Sequence, residues 1–259
     1  MSTLIPIVTK LTHEMRLFGI HGGIERRSQE ALATGHHPLE YLRLILEDEK
    51  LARRDRTAKM LTSRAHFRSE ATLEDWDHEH DRGLTKPVFR DMASLGFYQN
   101  RENLLVIGET GSGKTHLAIA LGKKLCSENI SVIFFSVNLL FEECQAERAA
   151  GRYLNLVKRI KQTAVLILDD FGLRNYSHEE ANVLVDLLEE RYQKGSVILT
   201  SQVDPKGWKK LFEDPVIADA ITDRLTKPAK IVVFKGKDIS YRDKLKFKKN
   251  QIAPQTKKE

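Results

Sequence analysis

Gly108-Glu109-Thr110-Gly111-Ser112-Gly113-Lys114-Thr115 is the stretch on which the reading of this chain turns. It fits the pattern G-x-x-x-x-G-K-[S/T]. A short apolar run at 104–107 precedes it, and a helical pattern running from 114 to about 128 follows. That strand–loop–helix setting gives the pattern its meaning. Glycines let backbone N–H groups turn inward around phosphate oxygens, and the helix behind the loop points its positive end at the same anion. In such a loop Lys114 reaches the β- and γ-phosphates of a nucleotide, and the Thr115 hydroxyl holds Mg²⁺. A chance glycine-rich turn is the alternative, but it requires neither the strand before nor the helix after.

Working outward, in A-V-L-I-L-D-D at 164–170 a buried strand read over Ala164–Leu168 runs into two carboxylates, the Walker B arrangement. Asp169 then binds Mg²⁺ through its water shell, and Asp170 orients or deprotonates the attacking water. The plainer reading is a strand end capped by aspartates. Thr200-Ser201-Gln202 ends the next strand. Gln202 is placed there beside the γ-phosphate to help position water, unless the triplet is an ordinary loop cap. Along the helix that carries D-A-I-T-D-R-L at 219–225, Ile217, Ala220, Ile221 and Leu225 form an apolar stripe and Arg224 points away from it. Arg224 is either an arginine finger for a neighbouring subunit's ATP or a partner of Asp219, Asp223 or the helix C-terminus. Arg242 is read as a phosphate contact in its own subunit or as a solvated side chain.

The remaining pattern alternates short apolar runs (131–135, 197–200, 231–234) with helices (139–149, 153–161, 215–225, and one to about 193 opened by a Ser177/Glu180 capping box). This is the α/β class, a five-stranded parallel sheet between helices. Residues 4–66 read as helical instead, with Pro38 at a helix start. The expected organisation is a helical N-terminal DNA-binding and assembly domain at 1–66 and a linker at 67–102. An ATPase domain at 103–246 and a basic disordered tail at 247–259 complete it. In the linker, Thr72–Asp75 resembles a helix start, and Trp76 is either an interdomain anchor or a neighbour of the adenine.

The 259 residues are 41 % hydrophobic and 30 % charged, which excludes wholesale disorder and low-complexity classes. No apolar run approaches the ~20 residues of a membrane span, and 4–8 is too short for a signal peptide before Lys10, Glu14 and Arg16. Cys126 and Cys144 read as core residues of a cytosolic (cytoplasmic) protein. The net charge is +6, and it is unevenly spread. Residues 50–68 hold seven lysines and arginines against Asp55 alone, and 224–259 hold twelve against three acids. Arg53, Arg54, Arg56 and Lys59 form one candidate DNA-binding surface. Arg148 and Arg152, beside the Gly151 break, form another. Such cations neutralise phosphates without reading sequence; a solvated charged face is the alternative for both.

Together, L-V-I-G-E-T-G-S-G-K-T-H-L-A (105–118), V-L-I-L-D-D-F-G (165–172), L-T-S-Q (199–202), D-R-L and T-L-E-D-W-D (72–77) resemble the AAA+ ATPases. Within these they resemble the DnaC-related clade and its IstB transposition-helper ATPases. The resemblance implies an AAA+ fold that hydrolyses ATP with Mg²⁺, forms homo-oligomers on duplex DNA and helps an IstA-type transposase engage target DNA. It also implies that the helical pair at 139–161 faces DNA, which favours Arg148 and Arg152 as contacts. Two departures stand out. Gln202 occupies a position where many relatives carry Asn, and the chain after Arg242 is short for a helical lid. A replicative helicase loader of the same clade is the second reading. A small-molecule kinase is the third, although no acceptor pocket or arginine-bearing lid is evident.

Overall fold

The structure, a computed structural model, describes residues 4–79 and 83–235. It divides into two compact units, Met1–Leu61 and Thr62–Glu259.

The first unit is helical: α1 (Leu4–Glu14), α2 (Phe18–Thr34) and α3 (Pro38–Arg64), the last ending just inside the second unit. Pro38 opens α3, where its missing N–H costs nothing. Gly35, at φ 65°, ends α2 in the left-handed conformation that glycine adopts without strain. The crossing of α2 on α3 is close and polar. A Cβ on Gly19 would lie 2.6 Å from both the Asp48 carbonyl oxygen and the Glu49 Cα, so only glycine fits there. The buried Glu49 carboxylate accepts the first-turn N–H groups of Gly19 (2.7 Å) and Ile20 (3.3 Å). Arg27 forks onto Asp48 through two 2.8 Å bonds.

In the second unit α4 (Lys86–Ala93) and α5 (Gly96–Gln99) precede β1 (Asn103–Gly108). Then come α6 (Lys114–Ser127), β2 (Val132–Ser136), α7 (Val137–Ala149), α8 (Tyr153–Gln162), β3 (Val165–Phe171) and α9 (His178–Arg191). The series closes with β4 (Ser196–Ser201), a 3-10 helix (Pro205–Leu211), α10 (Pro215–Thr226) and β5 (Ala229–Phe234). The sheet is parallel throughout, in the order β2-β3-β4-β1-β5. β1, β2 and β4 are buried along their whole length, as a sheet covered on both faces requires. The five expected strands are all present, and the capping box closes as read: Ser177 and Glu180 bond reciprocally.

Two buried polar side chains tie elements together. Asn103 donates to the Arg224 and Leu225 carbonyls (2.9 and 3.0 Å) and accepts from Val197 N (2.9 Å). Arg191 donates to the carbonyls of Ile160, Thr163, Ala164 and Ser196 at 2.6–3.0 Å, and burial lowers its pKa to about 10. Cys126 and Cys144 are both buried thiols, and burial raises that of Cys144 to about 11.

Three local expectations are corrected. Thr72–Asp75 forms a turn and not a helix start. The Thr72 hydroxyl makes the capping bonds to Asp75, but the chain then runs on to bury Trp76. Residues 67–102 are packed within the second unit, where Ala71, Trp76, Phe89, Met92, Leu95 and Phe97 are buried. β3 does not stop at residue 168. It continues through both aspartates, with its register broken between Leu168 and Phe171. Among the described residues, no helix is long and apolar enough to cross a membrane.

Candidate functional site

The site forms where β1, β3 and β4 reach their C-terminal ends. The loop after β1 turns through Gly111 and Gly113, at φ 81° and 98°, conformations that cost glycine nothing. Gly108 is forced by proximity: a Cβ there would come within 2.8 Å of the Phe234 Cβ on β5. Gly113 ends the loop as the residue before α6, so the N-terminus of that helix faces the cradle. Lys114 is buried, and its Nζ donates to the Glu109 carbonyl at 2.8 Å. Ser112 Oγ donates to that same carbonyl at 2.8 Å. Thr110 Oγ1 donates to Gln202 Oε1 at 2.8 Å, which brings the end of β4 onto the phosphate loop.

Below the loop, Asp169 is 1 % exposed. Its Oδ1 accepts from Thr115 Oγ1 at 2.9 Å and from Thr200 Oγ1 at 2.5 Å. Asp170 N donates to Thr200 Oγ1 at 3.0 Å, and Asp170 itself sits at φ 62°. This left-handed turn separates the two carboxylates: Asp169 is enclosed and Asp170 lies at the partly open edge. Burial pushes the Asp169 carboxyl above the usual carboxylate range, and the negative charge of Asp170 adds to this. The two hydroxyl bonds and the charge of Arg68 oppose it.

The donor set suits Mg²⁺. The cation prefers a few oxygen ligands and keeps several waters. Thr115 offers a hydroxyl, and the buried Asp169 Oδ2 has no hydrogen-bond partner, the state expected of an oxygen reserved for a metal-bound water. The positive-φ glycines and the α6 N-terminus suit the phosphates of ATP.

The structure thus brings together Gly108 to Thr115, Asp169, Asp170 and Gln202. Reading the sequence did not single out Thr200, whose hydroxyl joins both aspartates and which lay unresolved inside the quoted triplet. Arg68 was also missed as a site residue. Its Nη2 donates to Ser136 Oγ at 2.5 Å, and Ser136 is paired in register with Asp169; no spacing signal links residues so far apart. Trp76 packs against Phe89, His116 and Phe234, with ring centroids 5.6–6.0 Å apart. It is therefore an anchor inside the second unit.

Arg224 does not pair with Asp219 or Asp223. These two bond Lys209 (2.5 Å) and Lys227 (2.6 Å). Arg224 Nη1 donates to the Ala220 carbonyl at 3.0 Å, and Nη2 pairs with Glu189 of α9. Of the candidate DNA contacts, Arg53, Arg54, Arg56 and Lys59 are all exposed on α3. Arg53 bonds Glu49 at 2.7 Å, and the Arg56 guanidinium lies 4.3 Å above the Phe18 ring. Arg148 lies 4.5 Å above the Tyr153 ring, and Arg152 forks onto Glu147 through two 2.9 Å bonds. Arg242 lies outside the described residues.

The parallel sheet, the phosphate loop after β1 and the acidic end of β3 define a P-loop nucleotide-binding protein with the AAA+ fold. Solved structures share that fold. The crystal structure of DnaI aligns with a TM-score of 0.55 at 24 % identity, covering 64 % of this chain and 92 % of that one. AMPPCP-bound DnaA from Aquifex aeolicus aligns at 0.56 and 20 %, covering 74 % and 58 %. Residues 10–249 match the family described as IstB-like ATP binding protein, and the chain belongs to that family. It is 34 % identical over 221 residues to an insertion sequence ATP-binding protein of Sinorhizobium fredii, covering 84 % of this chain and 90 % of that protein. It is 31 % identical over 256 residues to the insertion sequence IS21 ATP-binding protein of Pseudomonas aeruginosa, covering 99 % and 94 %. The chain is thus an ATP-binding AAA+ protein of the kind associated with insertion sequences.

Proposed function

We propose that this chain is a Mg²⁺-dependent, DNA-stimulated ATPase that oligomerises on duplex DNA and helps an IstA-type transposase select and engage its target. The observation that carries the hydrolytic part is the chain of bonds Thr115–Asp169–Thr200–Asp170. It ties the phosphate loop to the Asp169 carboxylate and, through the Asp170 backbone N–H, fixes the point from which the Asp170 side chain leaves β3; such preorganisation is most of what phosphoryl transfer asks of a protein.

In this reading Lys114 exchanges the Glu109 carbonyl for β- and γ-phosphate oxygens when ATP binds. Thr115 and Asp169 would hold Mg²⁺, and the ion would supply neutralisation of the phosphate charge there. Asp170, at the open edge, orients the attacking water, and Gln202, tied to Thr110, borders the same position. Arg224 serves the ATP of a neighbouring subunit. Arg53, Arg54, Arg56, Lys59, Arg148 and Arg152 neutralise DNA phosphates, and Arg242 is left as a phosphate contact in its own subunit. The relatives named for insertion sequences support the transposase as partner.

The second reading, a helicase loader, rests on the fold shared with DnaI. Co-elution separates the two. The chain, duplex DNA and a non-hydrolysable ATP analogue are mixed with an IstA-type transposase or with a replicative helicase. The proposal expects an ATP- and DNA-dependent complex with the transposase; a complex with the helicase alone would replace it with the loader reading.

A further inference from the structure

The Arg224 side chain bonds away from the Thr115–Asp169–Thr200–Asp170 chain, to the Ala220 carbonyl of its own helix and to Glu189 of α9. α10 is fixed to the sheet by Asn103, which bonds the carbonyls of Arg224 and Leu225. The apolar faces of α9 and α10 enter one core, through Val183, Leu184 and Leu187 on one side and Ala218, Ile221 and Leu225 on the other. At the rim of that packing the Arg224 guanidinium meets Glu189. Acids nearer in sequence are otherwise engaged: Asp219 with Lys209, and Asp223 with Lys227. The adjacent Glu190 takes Lys161 and Lys194. Glu189 is thus the carboxylate given over to this arginine.

A guanidinium has five N–H donors. The Ala220 carbonyl and Glu189 take one from each terminal nitrogen, which leaves Nε–H and one N–H on each Nη. Those three suffice to grip a phosphate in two-point fashion. We infer that Glu189 is a positioning residue for Arg224: it holds the guanidinium at the α9–α10 rim with its remaining donors available to the γ-phosphate of a neighbouring subunit's ATP. The inference rests on the composite-site reading of Arg224 above. A finger is effective only when aimed, and misplacement by about 1 Å costs on the order of a hundredfold in rate. Glu189 is itself largely exposed, with 58 % of its side chain accessible, so replacing it removes the rest for Arg224 without opening the core.

The test uses the full chain with ATP, Mg²⁺ and duplex DNA. Glu189→Ala should lower kcat by about ten- to a hundredfold while ATP affinity stays within about twofold, because uniform binding is untouched. Glu189→Gln keeps one acceptor and should fall between the Ala variant and the parent. The Glu189→Ala, Arg224→Ala double variant should be no slower than Arg224→Ala alone, since the rest has nothing left to hold. Mixed with Asp170→Asn, the Glu189→Ala protein should recover turnover; mixed with Arg224→Ala it should not. Undiminished turnover of Glu189→Ala, a further loss in the Arg224→Ala background, or rescue by Arg224→Ala would overturn the role of Glu189. If Arg224→Ala and Asp170→Asn co-assemble without any recovery, the composite site itself is wrong and the positioning role falls with it. Recovery in that control alongside any of the three outcomes rejects Glu189 alone.

Discussion

At Asp169 two hydroxyls converge on one carboxylate oxygen, and the other oxygen, buried, has no hydrogen-bond partner. Lys114→Ala should abolish tight ATP binding, because the phosphate loop loses the only cation within it. Asp170→Asn should keep ATP bound while turnover falls by about 10²–10⁴, since the metal carboxylate is untouched. Nucleotide titration and phosphate release measure both, and normal turnover of Asp170→Asn would remove its water-activating role. Thr200→Val is more informative about the fold of the site. It takes a donor from Asp169 and an acceptor from Asp170 N, and leaving such groups unsatisfied costs about 1–3 kcal/mol. Denaturant unfolding should show that loss together with reduced turnover; a variant as stable and active as the parent would mean that the bond chain carries neither. At this scale the sequence was legible wherever chemistry dictates type and spacing, as in the loop from Gly108 to Thr115. Glu189 was invisible because it meets Arg224 across 35 positions, through helix packing that no local pattern encodes.

Strands buried on both faces announce themselves as apolar runs, which made β1 to β4 readable as elements; β5, at the sheet edge with Ile231 exposed, was readable from the run 231–234. The end of β3 was not, because Asp169 and Asp170 look like a loop by composition yet remain in the sheet. Thr72 and Asp75 show the converse: a capping pair makes its bonds without a helix to cap. The crossing of α2 on α3 was illegible too, since a glycine, a glutamate and an aspartate make it rather than an apolar stripe. Its chemistry has a pH signature. The Asp48 carboxyl is held below its usual range chiefly by Arg27. That of Glu49 is raised by burial but lowered overall by Arg53 and the Gly19 and Ile20 amides. Folded-state pKa values below the unfolded ones give stability that is full above the unfolded values, about pH 4, and is lost as pH falls through the folded ones. Hydrogen exchange at Gly19 and Ile20 should therefore accelerate, relative to β1, as pH drops from 5 to 3. Equal protection at both pH values would contradict this. Gly19→Ala should weaken the same amides at neutral pH by forcing α2 and α3 apart.

For the whole molecule, the proposed DNA contacts predict a salt dependence. Affinity for duplex DNA should fall with a log–log slope of about 0.9 per neutralised phosphate, with little sequence preference. Replacing Arg53, Arg54 and Arg56 together by Ala should flatten that slope. An unchanged slope and affinity would move the DNA surface off α3. Engagement of Arg53 with Glu49 and of Arg56 with Phe18 does not consume either cation, since each guanidinium keeps donors for phosphate.

In the mechanism proposed for this site, ATP is hydrolysed between subunits, with Lys114 and Asp170 from one and Arg224 from the next. The most direct test is ATP turnover, with duplex DNA present, across mixing ratios of Asp170→Asn and Arg224→Ala proteins. Each alone should bind ATP and be nearly inactive, since an arginine finger contributes about 10³–10⁵ in rate. Mixed, they form interfaces in which an intact Asp170 faces an intact Arg224, so activity should rise to a maximum at intermediate ratios. Co-assembly without recovery at any ratio, or full activity of Arg224→Ala alone, would contradict the account.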